Sequence, residues 1–165
     1  MLLACLTSIA LFSCEKIEPV EIPEPQKEEE KQTEDNNNNS NNNDQTITMV
    51  MNIIAGGKTI TATLADNTTA KELAEKLKAG AVTVLMKANG FEHYGPLGFS
   101  LTSHNEQIEA VSGDIMLYNS NNICVFYGNN SWSYTPLGKV DSLSAEDLKA
   151  FFGTGDISVT YSLKQ

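Results

Sequence analysis

Two apolar runs separated by a short polar turn constrain the fold more than any other feature. Residues 115–118 (Ile-Met-Leu-Tyr) and 123–127 (Ile-Cys-Val-Phe-Tyr) flank the segment 119–122, Asn-Ser-Asn-Asn. Asn and Ser favour turns because their side chains bond to nearby backbone, and Asn tolerates a positive φ. The β-branched and aromatic side chains of the runs suit a buried, pleated surface. We therefore predict a central hairpin around which the other strands are built.

Further strand patterns lie on both sides of this hairpin. Residues 47–55 and 58–64 flank the pair Gly56-Gly57, which predicts a two-residue hairpin loop. The second of these segments alternates apolar and polar side chains, as a half-buried strand does. Additional strands are predicted at residues 82–86, 107–111 and 156–163.

Two helices are predicted from their starting residues. Thr69 and Glu72 have the spacing of a capping box, and Ser144 with Asp147 marks a second helix start. The apolar residues that follow each start share one helix face, so both helices should pack on the sheet. They are Ala70, Leu73, Ala74 and Leu77 in the first helix, and Leu148, Phe151 and Phe152 in the second.

The remaining segments are interpreted as connections. Residues 89–101, rich in aromatic residues and glycines, are predicted to form a long loop, and the only Trp, Trp132, to lie in a polar loop. Seven or eight short strands with two helices predict a mainly β fold, a closed or nearly closed antiparallel barrel. Closure is favoured because it removes exposed strand edges.

The first 46 residues differ in composition from the rest. The apolar run at residues 2–12 is too short to span a bilayer as a helix and fits the core of a signal peptide. Residues 15–46 carry ten acidic residues and three lysines, so they hold −7 of the net charge of −10. They have too few apolar residues to offset the entropy of ordering. We predict a signal peptide at 1–14, a disordered tether at 15–46 and one domain at 47–165.

The segment Leu11-Phe12-Ser13-Cys14 resembles the lipobox of bacterial lipoproteins. The resemblance implies that Cys14 carries a diacylglycerol after cleavage and anchors an exported protein to the bacterial cell envelope. The pattern departs from that family at its start, because Met1 runs directly into Leu2 without basic residues. The alternative is an uncleaved hydrophobic N-terminus.

Composition and spacing argue against several function classes. All eleven basic residues are Lys, and the absence of Arg disfavours nucleic-acid binding. The two histidines, His93 and His104, lack metal-ligand spacing, and no Gly-x-Ser-x-Gly elbow is present. Cys124 stands alone in a predicted strand and is expected to be inert packing. We predict no metal and assign no catalytic residue.

The span from Met49 to Leu163 resembles the small bacterial cyclophilin-like domain family. The opening strand pair contributes to the resemblance, together with residues 67–70 (Asn-Thr-Thr-Ala), 113–118 (Gly-Asp-Ile-Met-Leu-Tyr), 126–127 (Phe-Tyr), 133–140 (Ser-Tyr-x-x-Leu-Gly-Lys-Val) and 153–159 (Gly-x-Gly-Asp-Ile-x-Val). The resemblance implies an eight-stranded barrel capped by helices. These motifs are mostly structural, so they imply the fold more than an activity.

True cyclophilins isomerise prolyl bonds with an Arg that hydrogen-bonds the proline nitrogen, and this chain has no residue that inherits the role. Lys87 is a poor substitute, because a flexible ammonium lacks the planar fork of Arg. An apolar groove could still form. Its candidate ligand-binding residues are Met86, Phe91, Glu92, His93, Tyr94, Phe126, Trp132 and Tyr134. For Met86 and Phe126, ordinary barrel core is the competing and commoner interpretation.

Three functions follow as hypotheses. The first is a monomeric, envelope-tethered domain that binds a peptide or small ligand without catalysis and without a cofactor. The second is a peptidyl-prolyl isomerase that uses the same groove. The third is a flavin-associated accessory domain, which is implied only by the fusion of some relatives to flavodoxin-like proteins.

Overall fold

A computed structural model describes residues 48–165, and the predicted signal peptide, Cys14 and the whole of the predicted tether lie outside that range. Nine strands and two helices occupy the described residues. In chain order they are β1 (Val50–Ala55), β2 (Lys58–Leu64), α1 (Thr68–Ala79), β3 (Val82–Ala88), β4 (Glu92–Pro96), β5 (Glu106–Ala110), β6 (Asp114–Tyr118), β7 (Asn122–Phe126), β8 (Asn130–Val140), α2 (Ala145–Phe152) and β9 (Ile157–Leu163). Neither helix is long and apolar enough to cross a membrane.

Eight of the nine strands close into a ring. The strands pair in the order β2-β1-β9-β3-β4-β7-β6-β8, and β8 pairs back with β2. Every pairing is antiparallel, and β5 pairs outside the ring with the first half of β8. The predicted mainly β, cyclophilin-like fold of about eight strands and two helices is confirmed. The predicted central hairpin is the β6–β7 pair.

Ring closure between β8 and β2 depends on Gly138. It pairs with Leu64, and a Cβ atom at this position would collide with the backbone oxygen of Thr63 and lie 3.1 Å from the Leu64 Cα. Backbone atoms cannot move aside as a flexible side chain can. Glycine therefore allows the last strand of the ring to approach the first.

The helices pack as the sequence predicts, but one cap differs. Ser144 caps α2 by accepting a hydrogen bond from the Asp147 backbone N–H. The predicted capping box at Thr69 is wrong, because the cap lies two residues earlier, at Asn67, which accepts a hydrogen bond from the Ala70 N–H at 2.8 Å. Glu72 instead accepts from the backbone N–H of Thr102. The side chain that the capping box would use therefore holds a distant segment against the helix.

Two segments predicted as loops are strands. The region 89–101 contains β4, which pairs with β3 and, over five residues, with β7. Trp132 lies in β8 rather than in a polar loop, opposite Ile108 of β5. Gly, Pro, Asn and Ser in these segments favour turns locally, but pairing with strands distant in sequence supplies the missing backbone partners.

Side chains alternate between two apolar clusters along β6 and β7. Ile115, Leu117, Ile123 and Val125 belong to the larger cluster inside the ring, which also packs against both helices and is called the inner core here. The residues between them belong to a smaller cluster on the other face of these strands, called the outer cluster. Its buried members are Ala110, Met116, Cys124, Phe126 and Tyr134.

Candidate functional site

A pocket of about 270 Å³ lies over the outer cluster. Five aromatic side chains line it: Phe91, Tyr94, Tyr118, Trp132 and Tyr134. The remaining lining residues are polar or weakly polar: Asn89, Glu92, Cys124 and Asn130. Such a combination of aromatic walls with a few convergent polar groups is typical of small-ligand sites.

Glu92 is the only acidic residue among the lining side chains, and it is 6% exposed. Its Oε1 accepts a hydrogen bond from the Asn89 side-chain amide at 3.1 Å. Its Oε2 is buried and has no hydrogen-bond partner among the described residues. Burial raises the pKa of Glu92, and the Asn89 amide and the neighbouring Cys124 thiol partly oppose that rise. Buried polar atoms without a partner are uncommon in proteins, and of the three in residues 48–165 only Oε2 belongs to a residue that lines this pocket.

The chain that follows β7 fixes Phe91 and Glu92. The Phe91 carbonyl accepts hydrogen bonds from the N–H groups of Tyr127 and Gly128, both at 2.9 Å. The Tyr127 hydroxyl donates to the carbonyl oxygen of Glu92, also at 2.9 Å. A Cβ atom on Gly128 would lie 2.9 Å from the Phe91 Cβ, so only glycine lets the two backbones approach this closely.

The aromatic walls rest on Phe126, which is fully buried below them. The Phe91 ring stacks on Phe126 with centroids 6.2 Å apart, and the Tyr134 ring meets it edge-on at 5.5 Å. Tyr118 meets Tyr134 edge-on at 6.2 Å, and the Asn130 amide donates to the Tyr134 hydroxyl at 2.7 Å. These contacts hold the rings in place before any ligand arrives.

Trp132 forms the exposed part of the pocket wall. It is 56% exposed and lies on the half of β8 that pairs with β5. Its strand neighbours Ser131 and Ser133 are exposed polar residues. A large exposed ring on a strand edge beside a pocket is available for contact with a ligand.

The Glu92 carboxyl acts on the other ionisable groups of the pocket. Burial raises the pKa of the Cys124 thiol well above its ordinary value, and the Glu92 carboxyl raises it further. Burial also raises the pKa of Tyr134, again with a contribution from Glu92. The thiol is therefore held in its protonated form, which is the unreactive one.

The comparisons with known proteins agree with this architecture. The model of the Cyclophilin-like family matches residues 53–162, which is most of the described part of the chain. The chain belongs to the Cyclophilin-like family. No curated protein matches the chain.

Five of the eight side chains predicted to bind a ligand line the pocket of this Cyclophilin-like domain: Phe91, Glu92, Tyr94, Trp132 and Tyr134. Met86 does not reach it, because its side chain is fully buried in the inner core. Phe126 is buried beneath the pocket rather than exposed in it. His93 is directed to the opposite face of β4, since neighbouring residues of a strand alternate.

His93 belongs with α2 rather than with the pocket. Its ring stacks on Phe152 with centroids 5.1 Å apart and lies 5.6 Å from the Tyr127 ring. Its Nε2 is 3.1 Å from the carbonyl oxygen of Gly155. The residue therefore helps to join β4 to the end of the second helix.

Four lining residues of the Cyclophilin-like pocket were absent from the predicted site: Asn89, Tyr118, Cys124 and Asn130. Tyr118 and Cys124 have a recognisable signal, because strand alternation places them on the same face as Met116 and Phe126. Asn89 and Asn130 have none, since an Asn beside a strand is ordinary turn chemistry. No group of three or more His, Cys, Asp or Glu residues within 48–165 is arranged to hold a metal ion.

Proposed function

We propose that this Cyclophilin-like domain is a binding module that holds a peptide side chain or a small ligand, without catalysis, in the pocket over the outer cluster, called the outer pocket here. One observation carries the proposal. Five aromatic side chains surround a pocket in which a buried carboxyl oxygen of Glu92 lacks a hydrogen-bond partner. A site that served only to pack the outer cluster would be filled by apolar atoms or would satisfy its buried polar atoms.

The lining chemistry favours binding over catalysis. A reaction needs a group that stabilises charge in the transition state, such as a preorganised cationic donor. No Lys lines the pocket, and the chain contains no Arg. Cys124 is a poor nucleophile because its thiolate is disfavoured.

Prolyl isomerisation of the cyclophilin type is the alternative activity, and the absence of Arg argues against it. Lys87 lies opposite Tyr94 in the β3–β4 pair, but it is not among the lining residues. A flavin-associated role stays a prediction of the family resemblance alone.

The location proposed for the domain rests on its sequence. The segment Leu11–Cys14 has the lipobox pattern, and the acidic, Asn-rich residues 15–46 have the composition of a spacer. We therefore propose a lipid-anchored domain held away from an envelope membrane. Metabolic labelling with a fatty acid tests this location: the wild type should incorporate label and Cys14→Ser should not.

Heteronuclear NMR of the isotopically labelled full chain tests the binding function. The chain is titrated with a panel of small amines, alcohols and short peptides, and some of the peptides contain Pro. Chemical-shift changes are followed at Phe91, Tyr94 and the indole N–H of Trp132. Exchange between cis and trans prolyl bonds is followed in the peptides.

Shift changes at these residues without faster cis–trans exchange support a binding module. Faster exchange shows that the fold catalyses isomerisation without Arg and contradicts the non-catalytic part of the proposal. The absence of shift changes across the whole panel contradicts the assignment of the pocket as a binding site.

A further inference from the structure

The outer pocket has the chemistry of a site for a positively charged group. Glu92 is the single acidic lining residue, and no cationic side chain of the described residues faces it from the pocket lining. Aromatic faces are negative at their centres and attract cations, and five aromatic side chains line the same pocket as this carboxyl. The Glu92 carboxyl and the aromatic rings therefore both favour a positively charged ligand.

The unpartnered carboxyl oxygen of Glu92 favours a ligand that carries a hydrogen-bond donor. Oε1 is already bound to Asn89, while Oε2 has no partner. A ligand that supplies a donor to Oε2 gives this buried atom the hydrogen bond that it lacks, whereas a ligand without a donor leaves it unsatisfied. A proline ring supplies none, because its nitrogen carries no hydrogen within a peptide. A ligand carboxylate would be repelled.

The volume of the pocket limits the size of the ligand that carries this hydrogen-bond donor. Its volume of about 270 Å³ lies just below the usual range for small-molecule sites. One extended side chain or a small molecule fits, and the aromatic walls pack against an apolar stem. Asn130 already uses its amide to hold the Tyr134 hydroxyl, and the Cys124 thiol is only a weak donor, so Glu92 Oε2 lacks a strong donor among the residues that line the pocket.

We propose that the pocket binds a primary ammonium group on a short apolar stem, with Glu92 Oε2 accepting its hydrogen bond and the aromatic rings packing on the stem. This inference rests on the proposed binding function and names the ligand class for the same site. A free alkylamine and the Lys side chain of a peptide offer this same chemistry.

Trp132 provides a built-in reporter, because it is the only Trp of the chain and lines the pocket. The fluorescence of the full chain is titrated with n-butylammonium, n-butanol and n-butyltrimethylammonium. The alcohol keeps the stem and a donor without the charge, whereas the quaternary ion keeps the charge without a donor. We expect n-butylammonium to bind at least about tenfold more tightly than either, the size of effect that one charge-assisted hydrogen bond gives.

Two Gln variants separate a specific contact from general attraction to an acidic protein. Glu92→Gln should lower the affinity for n-butylammonium about tenfold or more and leave that for n-butanol within about threefold. Glu109→Gln is the matched control, since it removes the same charge from an exposed position on β5 that does not line the pocket. It should leave both affinities unchanged.

Peptide arms distinguish the two sources of the ammonium group. A blocked tripeptide with central Lys is compared with the same peptide with central norleucine and with central Pro. Preference for the Lys peptide over n-butylammonium indicates a protein partner, and the reverse indicates a free amine. Either result supports the proposed ligand class.

The outcomes that overturn the inference differ from those that overturn the binding function. If n-butanol or the Pro peptide binds as tightly as n-butylammonium, the ammonium proposal is wrong and the binding module stands. The same holds if Glu92→Gln keeps the preference for the amine. If no ligand changes Trp132 fluorescence, both proposals fail. The ranking of wild-type affinities decides the matter even if Glu92→Gln does not fold.

Discussion

The two faces of β7 show how one strand separates stability from binding. Ile123 and Val125 point into the ring, where they are fully buried in the inner core. Cys124 and Phe126 point the other way, into the outer cluster beneath the pocket. The inner face joins a continuous apolar core, whereas the outer face places a carboxyl, a thiol and aromatic rings around a pocket. Because side chains alternate along a strand, one strand can contribute to a packed core on one face and to a candidate binding site on the other.

The largest difference between the faces is expected in stability. Ile123→Ala leaves a cavity in the inner core and should lower the free energy of unfolding by about 2–5 kcal/mol. Trp132→Ala changes a ring that is 56% exposed, so the loss should stay below about 1 kcal/mol. Denaturant unfolding of the full chain measures both. Equal losses would show that the outer face also supports the fold.

The next largest effect on stability is expected from a substitution that disturbs closure of the ring. Gly138→Ala forces a methyl group against the backbone of β2 and should lower the free energy of unfolding by about 1–3 kcal/mol. Gly80→Ala is the matched control, because Gly80 has extended backbone and open space around it. A neutral Gly138→Ala would mean that the β8–β2 contact is loose. Thermal unfolding distinguishes these results.

Glu92 should make the outer face sensitive to pH. Burial raises its pKa above the ordinary value of 4.5, so the folded state holds this proton more tightly than the unfolded state. The stability this provides is complete below about pH 4.5 and is lost as the pH rises through the folded-state pKa. The groups that interact with this carboxyl are the Asn89 amide, the Cys124 thiol and the hydroxyls of Tyr127 and Tyr134.

The corresponding variant is Glu92→Gln, which cannot titrate. Relative to the wild type it should gain stability as the pH rises from 4.5 to 8, because only the wild type loses the stabilisation that the bound proton provides. Denaturant unfolding at several pH values measures the difference, and Glu109→Gln serves as the exposed control. A difference that stays constant with pH would contradict the raised pKa of Glu92.

The last expectation concerns the reactivity of Cys124 and not the stability of the fold. Although it lines the pocket, its thiol should react far more slowly with iodoacetamide at pH 7.5 than a free cysteine does, because its pKa is raised by burial and by Glu92. Mass spectrometry of the peptide that contains Cys124 gives its rate separately from the other cysteines of the chain. Rapid alkylation in the folded protein would show that the carboxyl does not control this thiol.

Much of the inner core could be predicted from the sequence, because apolar alternation is a local signal. The β6–β7 hairpin, the β1–β2 pair and the buried face of α1 follow from such patterns. The strand β4 could not be predicted, since His-Tyr-Gly-Pro resembles a loop and only its pairing with β3 and β7 makes it a strand.

The pocket could be predicted only in part for the same reason. Its aromatic residues stand out in composition, but the positions of Phe91 and Glu92 depend on bonds to Tyr127 and Gly128, more than thirty residues away. Glu92 Oε2 lacks a hydrogen-bond partner because it is buried in the folded chain, and the residues near Glu92 in the sequence do not reveal that burial. The sequence also could not show that His93 faces α2 while its neighbours face the pocket.

The most direct test of this account is a comparison of neighbouring side chains of β7 during ligand binding. The full chain, with labelled methyl and aromatic groups, is titrated with n-butylammonium and followed by NMR. We expect shift changes for Phe126 and for the rings that line the pocket, and little change for the methyl groups of Ile123 and Val125. Equal shift changes on both faces, or none on the outer face, would contradict the separation of a packed inner face from a binding outer face.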